Sequence, residues 1–130
     1  MRNFDAVWPL LDSLEGEKFC YGKHDCCTLV ARCLDVMLGT NFLTAILAEY
    51  KDEPTASALI FREGGMLQVV SYFLGPERPV HHARRGDVIL LETDTAFLVG
   101  VCVGDAIAVA GDGVLFYPLS SGVCCWCVDE

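Results

Sequence analysis

Phe4, Val7, Trp8, Leu10, Leu11 and Leu14 recur every three or four positions. That spacing predicts an amphipathic helix over residues 3–15, capped by Asn3 or Asp5 and ended at Gly16. A longer stripe follows: Cys26, Leu29, Val30, Cys33, Leu34 and Met37 fall on one helical face. Asp25 stands where an N-cap belongs and Gly39 where a left-handed terminator belongs. Residues 41–50 and 56–74 keep helical periodicity, with Pro54 and Gly64-Gly65 as breaks, which predicts two or three short helices.

Beyond Gly75-Pro76 the period changes. Residues 86–92, 97–103, 106–110, 114–117 and 123–128 are β-rich runs separated by turn-forming Asp, Gly and Ser clusters. Helices first and strands afterwards predict an α+β fold: N-terminal helices (about 3–75) packed on a small antiparallel meander of four or five strands (about 86–128). A chain of 130 residues forms a single domain of this kind, 1–130.

Composition narrows the partners. Eighteen acidic against nine basic side chains give a net charge of −9, which repels phosphate backbones and excludes nucleic acid as the expected partner. A 53% hydrophobic fraction argues against disorder and suggests that some apolar surface meets another protein. Asp5, Asp12, Glu15 and Glu17 interrupt any signal-like stretch near the start. The longest apolar tract, 96–111, is split by Asp105 and is shorter than the roughly 18 residues a membrane span needs. Cytosolic synthesis with reduced thiols is therefore expected.

Eight cysteines then carry the candidate chemistry. Cys26 falls at the first turn of its helix, where unpaired backbone N–H groups and the macrodipole favour a thiolate. Cys27 points about 100° away and Cys33 lies two turns on, so packing is the expected use of both. In the terminal Cys124-Cys125-Trp126-Cys127, a strand turns Cys125 and Cys127 one way and Cys124 the other. A metal or iron–sulfur centre would need Cys125 and Cys127 joined by a distant thiol such as Cys20; the spacing lacks the usual paired ligands, and no cofactor is expected. His24, His81 and His82 are expected to be solvated loop imidazoles, His24 being the nearest candidate base for Cys26 in sequence. Asp87 is expected to bond backbone amides at a turn, and Asp94, Asp105 and Asp112 to occupy turns. Gly111-Asp112-Gly113 joins two strands and lacks the Lys-Ser/Thr of a phosphate loop.

The string Phe19 to Val30, with its aromatic-Gly and Asp25-Cys26 pair, resembles the nucleophile motif of the NlpC-type cysteine peptidases, papain-like enzymes that cut cell-wall peptides. Arg85-Gly86-Asp87-Val88 resembles the first core strand of that group, and Leu98-Val99-Gly100-Val101-Cys102-Val103-Gly104 its histidine-bearing strand. Over nearly its full length the chain also resembles phage tail proteins distantly related to those peptidases, through Gly22 to Cys26, the stretch around Glu49-Tyr50, residues 85–88, 98–104, 113–119 and Trp126 to Val128. The resemblance implies a papain-like fold with Cys26 as nucleophile. It also places Leu98 where the catalytic histidine belongs, and the orienting polar residue near Val109-Ala110. A leucine neither accepts nor donates a proton.

The expectation is thus a phage tail-tip, baseplate or tail-assembly protein that keeps the fold without the catalysis. It would be made in the host cytoplasm, carried in the virion tail and partnered by other tail proteins. Two alternatives stand beside it: an active cell-wall peptide hydrolase using Cys26 with an unconventional base such as His24, and a metal-centre protein.

Overall fold

The computed structural model describes residues 2–128 and bears out the α+β arrangement. Five helices, α1 (Val7–Ser13), α2 (Cys26–Leu38), α3 (Phe42–Leu47), α4 (Glu53–Glu63) and α5 (Met66–Leu74), precede the main strands. The strands are β1 (Arg78–Pro79), β2 (Val88–Glu92), β3 (Phe97–Cys102), β4 (Ala106–Gly111), β5 (Gly113–Pro118) and β6 (Gly122–Trp126).

Local chemistry sets the helix ends. Asp25 caps α2 through a reciprocal box with Thr28, and Gly39, at φ 71°, closes it. Asp52 and Thr55 repeat the same box at α4. Pro54 therefore opens that helix from its first turn, where its missing N–H costs nothing, and does not break the chain as its position in the sequence suggested. The first helix is shorter than expected: residues 4–6 form a 3-10 turn, and Asn3, which precedes it, makes no side-chain cap. At α3 the cap comes from elsewhere in the chain, because the Asp35 carboxylate accepts from the N–H groups of Phe42 and Leu43.

The sheet is not a simple meander. β2 to β5 do run as consecutive antiparallel neighbours, but β6 returns to pair with β2 and with the two-residue β1, giving the order β1-β6-β2-β3-β4-β5. β1 escaped the sequence reading because two residues have no period. One face of the sheet carries Val88, Leu90, Val99, Val101, Ala108, Ala110, Cys124 and Trp126 against α1, α2 and α5. Trp126 is buried there, its indole N–H donating to Ser71 Oγ and the Gly75 carbonyl. The other face carries Ile89, Leu91, Cys102, Ile107, Val109 and Cys125, covered by Val80, Leu98, Tyr117 and Leu119. Burial on both faces explains why the β2 run Val88-Ile89-Leu90-Leu91 is continuously apolar and does not alternate.

A buried carboxylate joins the two ends of the domain. Asp87, fully buried, accepts from Arg2 Nη1 at 2.6 Å and from the N–H groups of Arg84 (2.8 Å) and Val128 (3.1 Å). The amide contacts match the role read for Asp87; the pairing with Arg2 has no local signal. Arg2 also donates to the carbonyls of Val128 and Arg85. Removing one partner of such a pair strands the other. Asp87→Ala is therefore expected to destabilise the fold by about 3–5 kcal/mol in urea unfolding, and a loss below about 1 kcal/mol would show that water replaces the carboxylate freely.

Candidate functional site

The candidate site starts from a carboxylate that never touches solvent. Asp25, 2% exposed, accepts from Thr28 N–H (2.9 Å), Gly22 N–H (2.8 Å) and the Tyr50 hydroxyl, which lies 2.7 Å from both carboxylate oxygens. The first bond starts α2, the second folds residues 19–25 against it, and the third ties it to the end of the α3 region. Gly22 sits at φ +82°, and a Cβ there would stand 2.3 Å from the Lys51 carbonyl oxygen. The close approach that brings Tyr50 to Asp25 therefore requires glycine. Burial, followed by the neighbouring ionisable groups and the Asp25 bond, pushes the Tyr50 hydroxyl far above its ordinary value, so it stays a donor.

This scaffold fixes Cys26 as the first residue of α2, half-buried beneath β3. The largest influence on its thiol is a hydrogen bond from the Cys27 thiol, which favours the thiolate; burial opposes this, and the backbone N–H groups of Val99 and Cys27 add to it. The net result lies below an ordinary cysteine. Cys27 moves the other way, well up, because it donates to Cys26 and is itself buried. The Val99 donor has a topological origin. Cys102 exchanges bonds toward β2 through Asp87 and Gly86, so alternation turns Val101 and Val99 toward β4. β4 pairs with β3 only at Val101 and Cys102, which leaves Val99 N–H free to meet the sulfur.

The histidines lie elsewhere. His24 is 2% exposed, contrary to the solvated loop expected, and its Nε2 donates to the Gly113 carbonyl at 2.7 Å, while Nδ1 has no partner. It straps the loop before α2 to the start of β5. His81 and His82 are exposed after β1, stacked edge to face with centroids 4.6 Å apart. Leu98 packs on the sheet face away from α2, whereas Val99 belongs to the cluster that touches Cys26 and lines an apolar pocket with Cys27. The residue overlooking the thiol is thus Val99, one position on from the one singled out in the sequence, and it too is apolar. Val109 and Ala110 are buried among apolar side chains.

The other cysteines are separated as the strand period implied. Cys124 faces the helices, and Cys125 and Cys127 lie on the opposite face, where Cys125 donates to the Pro79 carbonyl at 3.3 Å. Cys20 is exposed in the loop bridged to His24. Among the described residues no group of three or more His, Cys, Asp or Glu side chains is placed to hold a metal ion, and no helix is long and apolar enough to cross a membrane. Cys26 is the feature whose chemistry departs from packing: a thiol lowered by donors at its sulfur, against burial and the negative charge of Asp25 at its helix cap.

Residues 5–128 match the family described as a domain of unknown function, DUF6950, and the chain belongs to that family. No curated protein matches it.

Two measurements probe this geometry. Iodoacetamide at pH 7 is expected to modify Cys26 much faster than Cys33 and Cys125, which burial pushes up to about 12 and protects. Cys27→Ala removes the thiol donor and should slow Cys26 modification roughly 3- to 10-fold, with its pH midpoint moving upward. An unchanged profile would show that the Cys27 thiol does not hold the thiolate. Tyr50→Phe deletes one donor to the buried Asp25 and is expected to cost about 1.5–3 kcal/mol in denaturant unfolding.

Proposed function

We propose that this chain is a papain-like, NlpC-type domain that keeps the nucleophile position without hydrolysis, and that it serves as a tail-tip, baseplate or assembly component of a phage tail. The observation that carries the loss of hydrolysis is the surroundings of Cys26. The influences that lower its thiol are donors, the Cys27 thiol and the Val99 and Cys27 N–H groups, while His24, the nearest imidazole in sequence, is bonded through Nε2 to the Gly113 carbonyl and makes no hydrogen bond to Cys26, its Nδ1 being without a partner. A cysteine hydrolase needs a group that takes the thiol proton and returns it to the leaving amine. Donors can stabilise a thiolate but cannot shuttle that proton. Asp25 cannot take over the role of base, since both its oxygens are already bonded.

The papain-like reading is supported by a cysteine at the start of a helix that packs across β3 of an antiparallel sheet. The tail reading draws on the sequence resemblance and on the exposed aromatic side chains Phe61, Tyr72 and Phe116, which suit a protein held among others.

Purified chain incubated with cell-wall muropeptides is expected to release no fragment by mass spectrometry, even though Cys26 alkylates readily. Cleavage that disappears in Cys26→Ser would overturn the non-hydrolytic reading. Leu98→His should not create activity, because position 98 faces away from Cys26. For the tail role, antibody against the chain should detect it in purified particles of a phage that encodes it or in cells during tail assembly; detection in neither rejects that role.

A further inference from the structure

β5 is the last strand of the sheet and is bonded along one side only, to β4. At its first residue the open side is occupied: Gly113 N–H donates to the Glu17 carbonyl at 2.7 Å, and its own carbonyl takes the His24 ring N–H. Gly113, at φ +79°, still belongs to the turn, and beyond it the ladder sets direction. Val103 N–H donates to the Ala106 carbonyl and Leu119 N–H to the Asp105 carbonyl, so Ile107 and Val109 face β5 and bond to Tyr117 and Leu115. That leaves Val114 and Phe116 presenting their N–H and C=O groups on the open side. Edge strands are ordinarily blunted by charge, shortness or a bulge. β1, at the opposite edge, is only two residues long. Of such protections β5 has only a proline at its last position: it runs six residues as Gly-Val-Leu-Phe-Tyr-Pro without a charge, and Leu115 and Phe116 are about half exposed.

Beside this edge a groove of about 240 Å³ lies between α1 and β5, walled by Trp8, Leu11, Val114 and Phe116 and rimmed by Asp12 and Glu15. Both carboxylates are exposed. Glu17 and Asp112 add negative charge near the start of the strand, and Lys18 is the one cation between residues 3 and 19. A second copy of the chain would set this acidic rim against its own image.

We propose that the β5 edge accepts an extended segment of a basic partner protein as a seventh strand. The partner's main chain bonds to Val114 and Phe116. One apolar side chain enters the groove between Trp8 and Phe116, and lysine or arginine two residues to either side reaches Asp12 and Glu15, as strand periodicity allows. The inference stands on residues other than those around Cys26 and does not depend on how that thiol is used.

The test uses the full chain and a labelled seven-residue peptide with leucine at its centre, lysine at its second and sixth residues, and threonine elsewhere. It is compared with the same peptide carrying glutamate in place of lysine. Fluorescence anisotropy at low salt is expected to show at least about tenfold tighter binding of the lysine peptide, with the difference shrinking as salt rises. At saturation, hydrogen exchange at the Val114 and Phe116 amides should slow about tenfold or more, as added strand pairing requires. Joint Asp12→Lys and Glu15→Lys substitution, both on the surface, should invert the preference. Equal binding of the two peptides, or unaltered exchange at both amides, overturns the proposal. So does a concentration-dependent dimer that already protects them without peptide, since the occupant would then be a second copy.

Discussion

The Asp25 carboxylate is the constraint on which the rest of the site depends. Burying an ionised group is costly unless its lone pairs are filled, and here the donors come from three separate stretches: Gly22, Thr28 and Tyr50. Because each must arrive for the charge to be tolerated, one residue fixes the start of α2, the fold of the loop before it and the docking of the segment after α3. The cost of leaving any donor out works as a specification of geometry. Gly22 shows how tight it is, since even a methyl group there would collide with the Lys51 carbonyl.

From that fixed point the chemistry of Cys26 follows with little freedom. A helix start supplies backbone N–H groups, and β3, by outrunning β4, supplies one more at Val99. Cys27 completes the set with its thiol. All these contributions stabilise negative charge at sulfur, and none accepts a proton. The donors therefore favour the thiolate against burial and the Asp25 charge, which is half of what nucleophilic catalysis requires. The missing half cannot be restored at Leu98, because strand alternation sends that side chain to the other face of the sheet. The apolar side chain on the inner face is Val99.

What the sequence disclosed was mainly local. The α2 stripe, its Asp25 cap and its Gly39 end are written within a dozen residues, and the division of Cys124 from Cys125 and Cys127 needs only a period of two. The features that escaped were long-range. β1 has too few residues to show a period, and the place of β6 beside β2 is a matter of topology. Tyr50 lay in a stretch marked by resemblance, yet nothing nearby disclosed that its hydroxyl reaches Asp25. His24 read as a loop residue because its acceptor, Gly113, is 89 positions away. The step from Leu98 to Val99 is a register effect: a motif fixes which segment faces the nucleophile, but strand alternation decides which of two neighbours does.

These long-range bonds also unite two surfaces that look unrelated in the sequence. The loop from Glu17 to His24 is held at its far end by Asp25 and along its length by the β4–β5 hairpin, through Glu17 and His24 on Gly113 and through Phe19 on Asp112. Buried hydrogen bonds of this kind are expensive to leave unmade, so the hairpin and the α2 start move as one body. The same contacts close the open side of β5 at Gly113 and leave it free at Val114 and Phe116. Support for the thiol thus comes from the element that also presents the sheet's unprotected edge, and of the two cations flanking the acidic α1 rim beside that edge, Arg2 is drawn inward to Asp87 and only Lys18 stays near it in sequence.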